Sequence, residues 1–205
     1  MNMQIEKYEK IGKDKYRLYL DNGEVIDTYD EVILNYDLLL KKEVDSVTYS
    51  KIFVDTRIYE AYLAGLKYLM VRIRSTKEMV DYLKRKNVEE DDISVVIERL
   101  KQEKALDDEY FCQCFVKDKL RFTTMGPWKI RDELKRQQIE PVIIEQSMEF
   151  MNEDIILEKI EKLVDKQIRA NHKLESQKLR NKIYHNLLGL GYSSAQIVEV
   201  LNSRF

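Results

Sequence analysis

The chain has 205 residues, 44% of them hydrophobic and 35% charged, with only 6 Gly, 2 Pro and 2 Cys. That is enough apolar material for a sizeable core, and it excludes collagen-like, linker-like, disulfide-scaffold and wholly disordered chains. A net charge of −2 advertises no global basic field for nucleic acid. No apolar run approaches the roughly 20 residues of a membrane span, and the N-terminus, MNMQIEKYEK, lacks the apolar core of a signal peptide. Two cysteines cannot build a disulfide framework and suit a reducing compartment, so the expectation is a cytoplasmic protein.

The first fifty residues read as a small β-rich head. Tyr16, Leu18 and Leu20 alternate with Arg17, Tyr19 and Asp21, the period of a half-buried strand. Asn22-Gly23 follows, the dipeptide that supplies a tight hairpin turn. Val25, Asp27 and Tyr29 continue as the return strand, and Ile5 to Ile11 makes a third, with Tyr8, Tyr16, Tyr19 and Tyr29 facing the sheet. Asp30 is expected to cap a helical turn running through Leu40. A three-stranded sheet of this size is marginal alone, so it must pack on something else.

From about residue 48 the apolar period becomes 3.6. Tyr59, Tyr62, Leu63, Leu66, Leu69 and Met70 make one stripe. Ser75-Thr76-Lys77-Glu78 is a capping box, in which the Ser75 hydroxyl accepts from the Glu78 N–H while the Glu78 carboxylate accepts from the Ser75 N–H. Asp107 or Asp108 caps the next helix, which carries Phe111, Phe115, Val116 and Leu120. Gly126-Pro127 starts another, proline suiting a first helical position where the missing N–H has no helical partner.

An internal repeat organises this helical body. With Val88, Ile139 and Tyr192 as origin, the positions nine before are Met79, Ile130 and Ile183, and those five before are Leu83, Leu134 and Leu187. Five after lie Ile93, Ile144 and Ile197; nine after lie Ile97, Met148 and Leu201. The copies are 51 and 53 residues apart, and an amphipathic helix precedes each, at 59–70, 108–121 and 153–170. The reading is a mainly α protein of three tandem three-helix repeats, an elongated solenoid-like array behind a small three-stranded sheet. The boundaries are 1–50 for the head and about 51–104, 105–151 and 152–205 for the repeats.

Charge is unevenly spread along this frame. Residues 1–50 carry a net −4, whereas 117–136 and 155–182 each carry a net +4. No phosphate loop or dinucleotide turn is present. His172 and His185, on predicted helices, have no metal-ligand spacing around them. Cys112 and Cys114 fall on different helical faces and read as semi-buried thiols beside Phe111 and Phe115. Trp128 follows Pro127 and is read as an anchor of its own helix, in preference to a residue that stacks on a base or holds a partner. No catalytic, metal or cofactor site emerges.

Arg72-Ile73-Arg74-Ser75-Thr76-Lys77-Glu78-Met79-Val80-Asp81-Tyr82-Leu83 resembles the R-x-R-S-x-x-E-L-x-x-x-L signature of the RecX family of recombinase regulators. Leu106 to Phe111 resembles its Leu-Asp-Asp-x-x-Phe string, Gly126 to Leu134 its G-P-x-x-I-x-x-E-L, and Gly191-Tyr192 the break of its last repeat. The resemblance covers about residues 55–205 in order. Met79 stands for the usual Leu, Lys119 for an expected Arg, and Asn87 and Gln138 for the glycine of the first two breaks. The acidic head resembles an extension of some members only.

The resemblance implies a non-enzymatic regulator that binds the RecA filament on single-stranded DNA and restrains its ATP hydrolysis, strand exchange and growth, with roles in DNA repair, recombination and the SOS response. Partners would be the RecA filament and single-stranded DNA, directly or through the filament, with no cofactor and no membrane. Charge placement nominates Arg72, Arg74, Lys117, Lys119, Arg121, Lys129, Arg131, Lys135, Arg136, Arg169, Lys173 and Arg180 as filament contacts. The alternatives are a direct nucleic-acid binder of helix-turn-helix type and a generic helical-repeat adaptor.

Overall fold

The computed structural model describes residues 2–205, which form two compact units. The first holds the chain up to Arg72 together with Met79–Leu106; the second holds Ile73–Glu78 and Asp107–Phe205.

In the first unit, β1 (Asn2–Lys10), β2 (Lys15–Leu20) and β3 (Val25–Tyr29) form the expected antiparallel meander. A fourth strand that the sequence reading lacks, β4 (Glu43–Asp45), joins the other edge and gives the order β3-β2-β1-β4. It escaped because three residues are too few for a period, and only Val44, opposite Met3, is buried. A second correction concerns Asp30. Two short helices, α1 (Asp30–Asn35) and α2 (Leu38–Lys41), replace the single turn, and Asp30 is the first residue of α1 with no side-chain cap. The break between them is the left-handed backbone of Asp37, φ 53°.

One face of the sheet is closed by α3 (Ser46–Leu69), whose N-terminus is capped by Asp45 accepting from Val47 and Thr48 N–H at 2.8 Å each. Ile52 of α3 completes the head's core of Ile5, Leu18, Leu20, Ile26, Val32, Ile33, Leu38 and Val44. Beneath it the hydroxyls of Thr28 and Thr56 satisfy each other at 2.5 Å, so two buried polar groups cost little. The head's need for a partner is therefore met by the helix that also opens the first repeat.

The C-terminal half of α3 packs with α4 (Thr76–Arg85) and α5 (Glu90–Gln102) around Ala61, Tyr62, Met79, Leu83, Ile93, Val96 and Leu100. Met70, assigned to the apolar stripe, is 86% exposed, because α3 ends at Leu69 and the chain turns away. In the second unit follow α6 (Asp108–Phe122), α7 (Pro127–Arg136), α8 (Pro141–Met148), α9 (Glu153–Ala170), α10 (Ser176–Leu190) and α11 (Ser194–Asn202). They share one core that includes Phe111, Val116, Ile130, Leu134, Ile160, Ile183 and Leu187.

Of the fifteen repeat positions, thirteen are buried and two, Val88 and Ile97, are partly buried. Their spacing has a local cause at each break. Asn87, Gln138 and Gly191 all adopt left-handed backbone, with φ of 59°, 57° and 94°. At each, the next residue's N–H donates to the carbonyl five back: Val88 to Leu83 (3.2 Å), Ile139 to Leu134 (3.4 Å), Tyr192 to Leu187 (3.3 Å). The left-handed residue donates to the carbonyl three back: Asn87 to Lys84, Gln138 to Lys135, Gly191 to Leu188. This is the Schellman helix stop, which pairs the apolar residues at its two ends. It explains why offsets −5 and 0 are apolar in every copy.

Within the second unit one kind of contact recurs at the helix starts. Gly126 N–H donates to Leu190 O at 2.8 Å and Trp128 N–H to Gly191 O at 3.0 Å, so the start of α7 lies on the break after α10. One copy earlier, the Ser75 hydroxyl donates to the Gln137 side-chain oxygen at 2.8 Å, which brings the segment Ile73–Glu78 to the break after α7 within that unit. This is why Ile73–Glu78 belongs to the second unit. Thr76 N–H, which has a donor where Pro127 has none, is satisfied by Asp108 Oδ1 at 2.7 Å.

Candidate functional site

The nominated cations of the second repeat lie on α6 and α7. Lys117 and Arg121 are exposed one turn apart on α6, each beside a ring: Lys117 is 4.1 Å from the centroid of Phe150 and Arg121 is 5.1 Å from that of Phe122. Lys119 is turned inward, 2.6 Å from Glu133 and against Phe115. On α7, Arg131 grips Glu145 of α8 through Nε and Nη2 at 3.0 and 3.1 Å, and Arg136 pairs with Asp132 at 2.6 Å. Lys129 and Lys135 are exposed on the same helix. Three of these seven charges are thus offset by carboxylates, of which Asp132 and Glu133 are inside the linear count of +4 and Glu145, from the next helix, is outside it.

The remaining nominees are dispersed. Arg169 lies in the last turn of α9 with Nε on Asp165 O at 3.3 Å, Lys173 stands exposed in the following turn, and Arg180 of α10 donates to Asn202 Oδ1 at 2.5 Å. Arg74 is pulled in, its side chain only 12% exposed and 4.0 Å from Glu78, whereas Arg72 stays at the surface of the first unit. The Glu78 carboxylate meanwhile completes the capping box, accepting from Ser75 N–H at 3.3 Å while Glu78 N–H donates to Ser75 Oγ at 3.1 Å.

Two side chains were misjudged or missed from sequence. Trp128, read as an anchor, is 68% exposed. Buried Pro127 and the backbone bond to Gly191 already fix the start of α7, and Ile130 and Leu134 fill its inner face. Lys159 of α9 is the opposite case. Its ammonium is half-buried and donates to Leu120 O at 2.8 Å, closing the C-terminus of α6, where a cation meets the negative end of the helix dipole. Burial pulls its pKa below the ordinary lysine value.

His172 lies in the turn after α9 rather than on a helix, and His185 is on α10; both are exposed. Cys112 and Cys114 are free thiols, Cys112 buried and its pKa raised by that burial. Among the described residues no group of three or more His, Cys, Asp or Glu is placed to share a metal ion, and no helix is long and apolar enough to cross a membrane.

The comparisons with known proteins converge on one family. RecX family models for the first, second and third three-helix domains match residues 61–100, 107–148 and 153–201. A curated relative, regulatory protein RecX of Oceanobacillus iheyensis, is 31% identical over 198 residues, covering 94% of this chain and 73% of the relative. The chain belongs to the RecX family. A crystal structure of regulatory protein RecX superposes with TM-score 0.89 at 22% identity, covering 98% of this chain and 99% of the other, so the fold, head included, is shared. RecX from Lactobacillus salivarius superposes with TM-score 0.68 at 26% identity, covering 72% of this chain and 96% of that one.

In RecX terms, α3–α5, α6–α8 and α9–α11 carry the three family domains. The α6–α7 cations belong to the second domain, and Arg169, Lys173 and Arg180 to the third. The four-stranded head precedes the first matched domain.

Proposed function

We propose that this RecX-family chain binds the RecA filament on single-stranded DNA and restrains ATP hydrolysis, strand exchange and filament growth. The observation that carries this reading is the match of all three RecX three-helix domains, in order, on a chain whose second domain presents Lys117, Arg121, Lys129 and Lys135 to solvent. Cations on successive helices suit a polyanionic or acidic surface. Contacts of modest strength on more than one domain add through effective concentration, and binding of this kind weakens with salt. The reading places the protein in the cytoplasm, in recombination and repair, acting without chemistry of its own. The twelve nominated basic residues remain the proposed contact set, with Lys119, Arg131 and Arg136 the most internally compensated of the second-domain group.

The test is single-strand-stimulated ATP hydrolysis by the cognate RecA, titrated with this protein under excess DNA, which removes template sequestration as a cause. Loss of hydrolysis at substoichiometric protein supports filament capping or destabilisation; loss only near saturation supports coating. Unchanged hydrolysis alongside tight binding to bare DNA would replace this reading with direct nucleic-acid binding.

A further inference from the structure

The chain's single tryptophan is also one of its most exposed large apolar side chains. Trp128 is the second residue of α7, and its helical phase puts it on the outward stripe with Arg131, Asp132 and Lys135. Neither the core nor the turn requires it. Backbone bonds and Pro127 hold the helix start, so a small polar residue would fold as well. An indole kept in water at such a site is a candidate contact.

It forms the shared wall of two clefts. One, about 360 Å³, runs along α7 towards α8 and is lined by Arg131, Asp132, Lys135 and Glu145. The other, about 420 Å³, lies over the break after α10 and is lined by Leu188, Gly191, Tyr192, Ser193 and Ser194. The two differ in chemistry. The first holds two carboxylates and two cations, a nearly neutral polar trough. The second holds no ionised group: Leu188 and the indole give it apolar wall, and its two serine hydroxyls are already partnered, Ser193 as the cap of α11 on Gln196 and Ser194 with the Tyr184 hydroxyl at 3.0 Å. Exposed Lys129 follows the indole in sequence, and Lys135 stands seven residues along α7, about 10 Å away at 1.5 Å per residue.

A flat aromatic guest with a flanking negative charge matches this set. The indole face and Leu188 take the ring, and the two exposed lysines that follow the indole on α7 take the charge. An apolar protein side chain would use the wall but leave both exposed lysines unmatched. We propose that Trp128 is a base-stacking residue, holding one unpaired base of a single-stranded nucleic acid in the cleft beside Leu188 and Ser194, with Lys129 and Lys135 meeting the adjoining phosphates. This deepens the filament reading and rests on it for the source of the strand.

Because Trp128 is the only tryptophan, its emission reports this site alone. The full-length chain is titrated with oligothymidylate and, separately, with an abasic oligomer of equal length, following indole emission and the anisotropy of a labelled strand. Stacking quenches the indole with thymidylate and not with the abasic strand. Trp128→Ala weakens thymidylate binding about 5- to 150-fold, the span of one lost base–aromatic stack, while Trp128→Phe retains most of it and abasic binding is unchanged. The inference is overturned if thymidylate does not bind, if it binds without altering the emission, if Trp128→Ala binds like the parent, or if RecA without DNA produces the same quenching. Hydrolysis assays read the filament proposal separately: inhibition by a chain that shows no stacking sinks only the stacking, and stacking without inhibition sinks only the filament reading.

Discussion

Arg99 of α5 clasps Glu31 of α1 through both guanidinium arms, at 2.5 and 2.9 Å, and so ties the head to the first three-helix repeat. The same guanidinium reaches Glu103 at 2.9 Å and lies 3.8 Å from the ring centroid of Tyr62, whose hydroxyl donates to Glu103 at 2.6 Å. With Ile52 already shared between the head's core and α3, the head is built into the first unit rather than appended to it. Each ion-pair side chain is about a third exposed, 32% for both. Bidentate geometry favours a real contribution, and exposure discounts it to about 1–2 kcal/mol. Glu31→Ala is expected to lower unfolding free energy by about that amount and Arg99→Ala by at least as much, since it also loses Glu103 and Tyr62, with the double mutant no worse than Arg99→Ala alone. Additive losses in the denaturant titration would show that the pair is not coupled.

Gly126 and Gly191 support a sharper expectation. A Cβ on Gly126 would stand 2.5 Å from the Gly191 carbonyl carbon, and one on Gly191, itself at φ 94°, would stand 2.8 Å from Lys129 N. Both neighbours are backbone and cannot swing aside. Gly126→Ala and Gly191→Ala should therefore each cost well over the ~1 kcal/mol of an ordinary substitution, and hydrogen exchange at Trp128 and Tyr192 amides should rise with them. Gln138→Gly is the converse. The backbone there is already left-handed at φ 57°, so relief of strain makes this change neutral or mildly stabilising. A destabilised Gln138→Gly protein would contradict the assignment of that strain.

The helical body was legible because one local device, the Schellman stop, writes apolar residues at fixed offsets around each break. Its left-handed residue was legible even where Asn87 and Gln138 occupy a glycine's place. The contacts inside the second unit were not, since Ser75 with Gln137 and Gly126 with Leu190 are pairs distant in sequence and joined by hydrogen bonds that no period records. β4 and the division into α1 and α2 were too short to leave a pattern. Of the candidate surface, sequence supplied which residues are basic but not which are matched: Lys119 with Glu133 and Arg131 with Glu145 are fourteen apart and meet across two helices. Trp128 was misjudged because its neighbours Gly126 and Pro127 already do the anchoring attributed to it.

Tyr192 gives a pH dependence. Its ring is buried at the third break and its hydroxyl donates to Thr124 O at 3.2 Å, and burial pushes its pKa from 10.0 up to about 12. A raised folded-state value means the neutral form is the one the fold accepts. The contribution is fully present below pH 10 and is lost as pH rises from about 10 to about 12, about 2–3 kcal/mol at the conversion of 1.36 kcal/mol per unit. Lysines and other tyrosines titrate in the same window, so the measurement is a difference. Unfolding free energy of the parent minus that of Tyr192→Phe should be positive at neutral pH and shrink towards the alkaline end; a difference that stays flat through pH 12 would show that Tyr192 ionises without penalty.

Lys129 and Lys135 allow the electrostatic part of the functional proposal to be separated from folding. Both are exposed on α7, whereas Arg131 is held by Glu145 and Lys119 by Glu133. Reversing a compensated cation breaks an ion pair between helices and confounds binding with stability. Reversing Lys129 and Lys135 together should leave the melting temperature within a degree or two, since isolated surface charges contribute little. If they meet phosphates, affinity for single-stranded DNA should fall at every sequence tested, and the slope of log affinity against log salt should become shallower by about 0.7 per lysine. Inhibition of RecA hydrolysis should weaken in step. An unchanged slope with unchanged inhibition would remove α7 from the contact surface and leave Lys117 and Arg121 on α6 as the second domain's exposed cations to test.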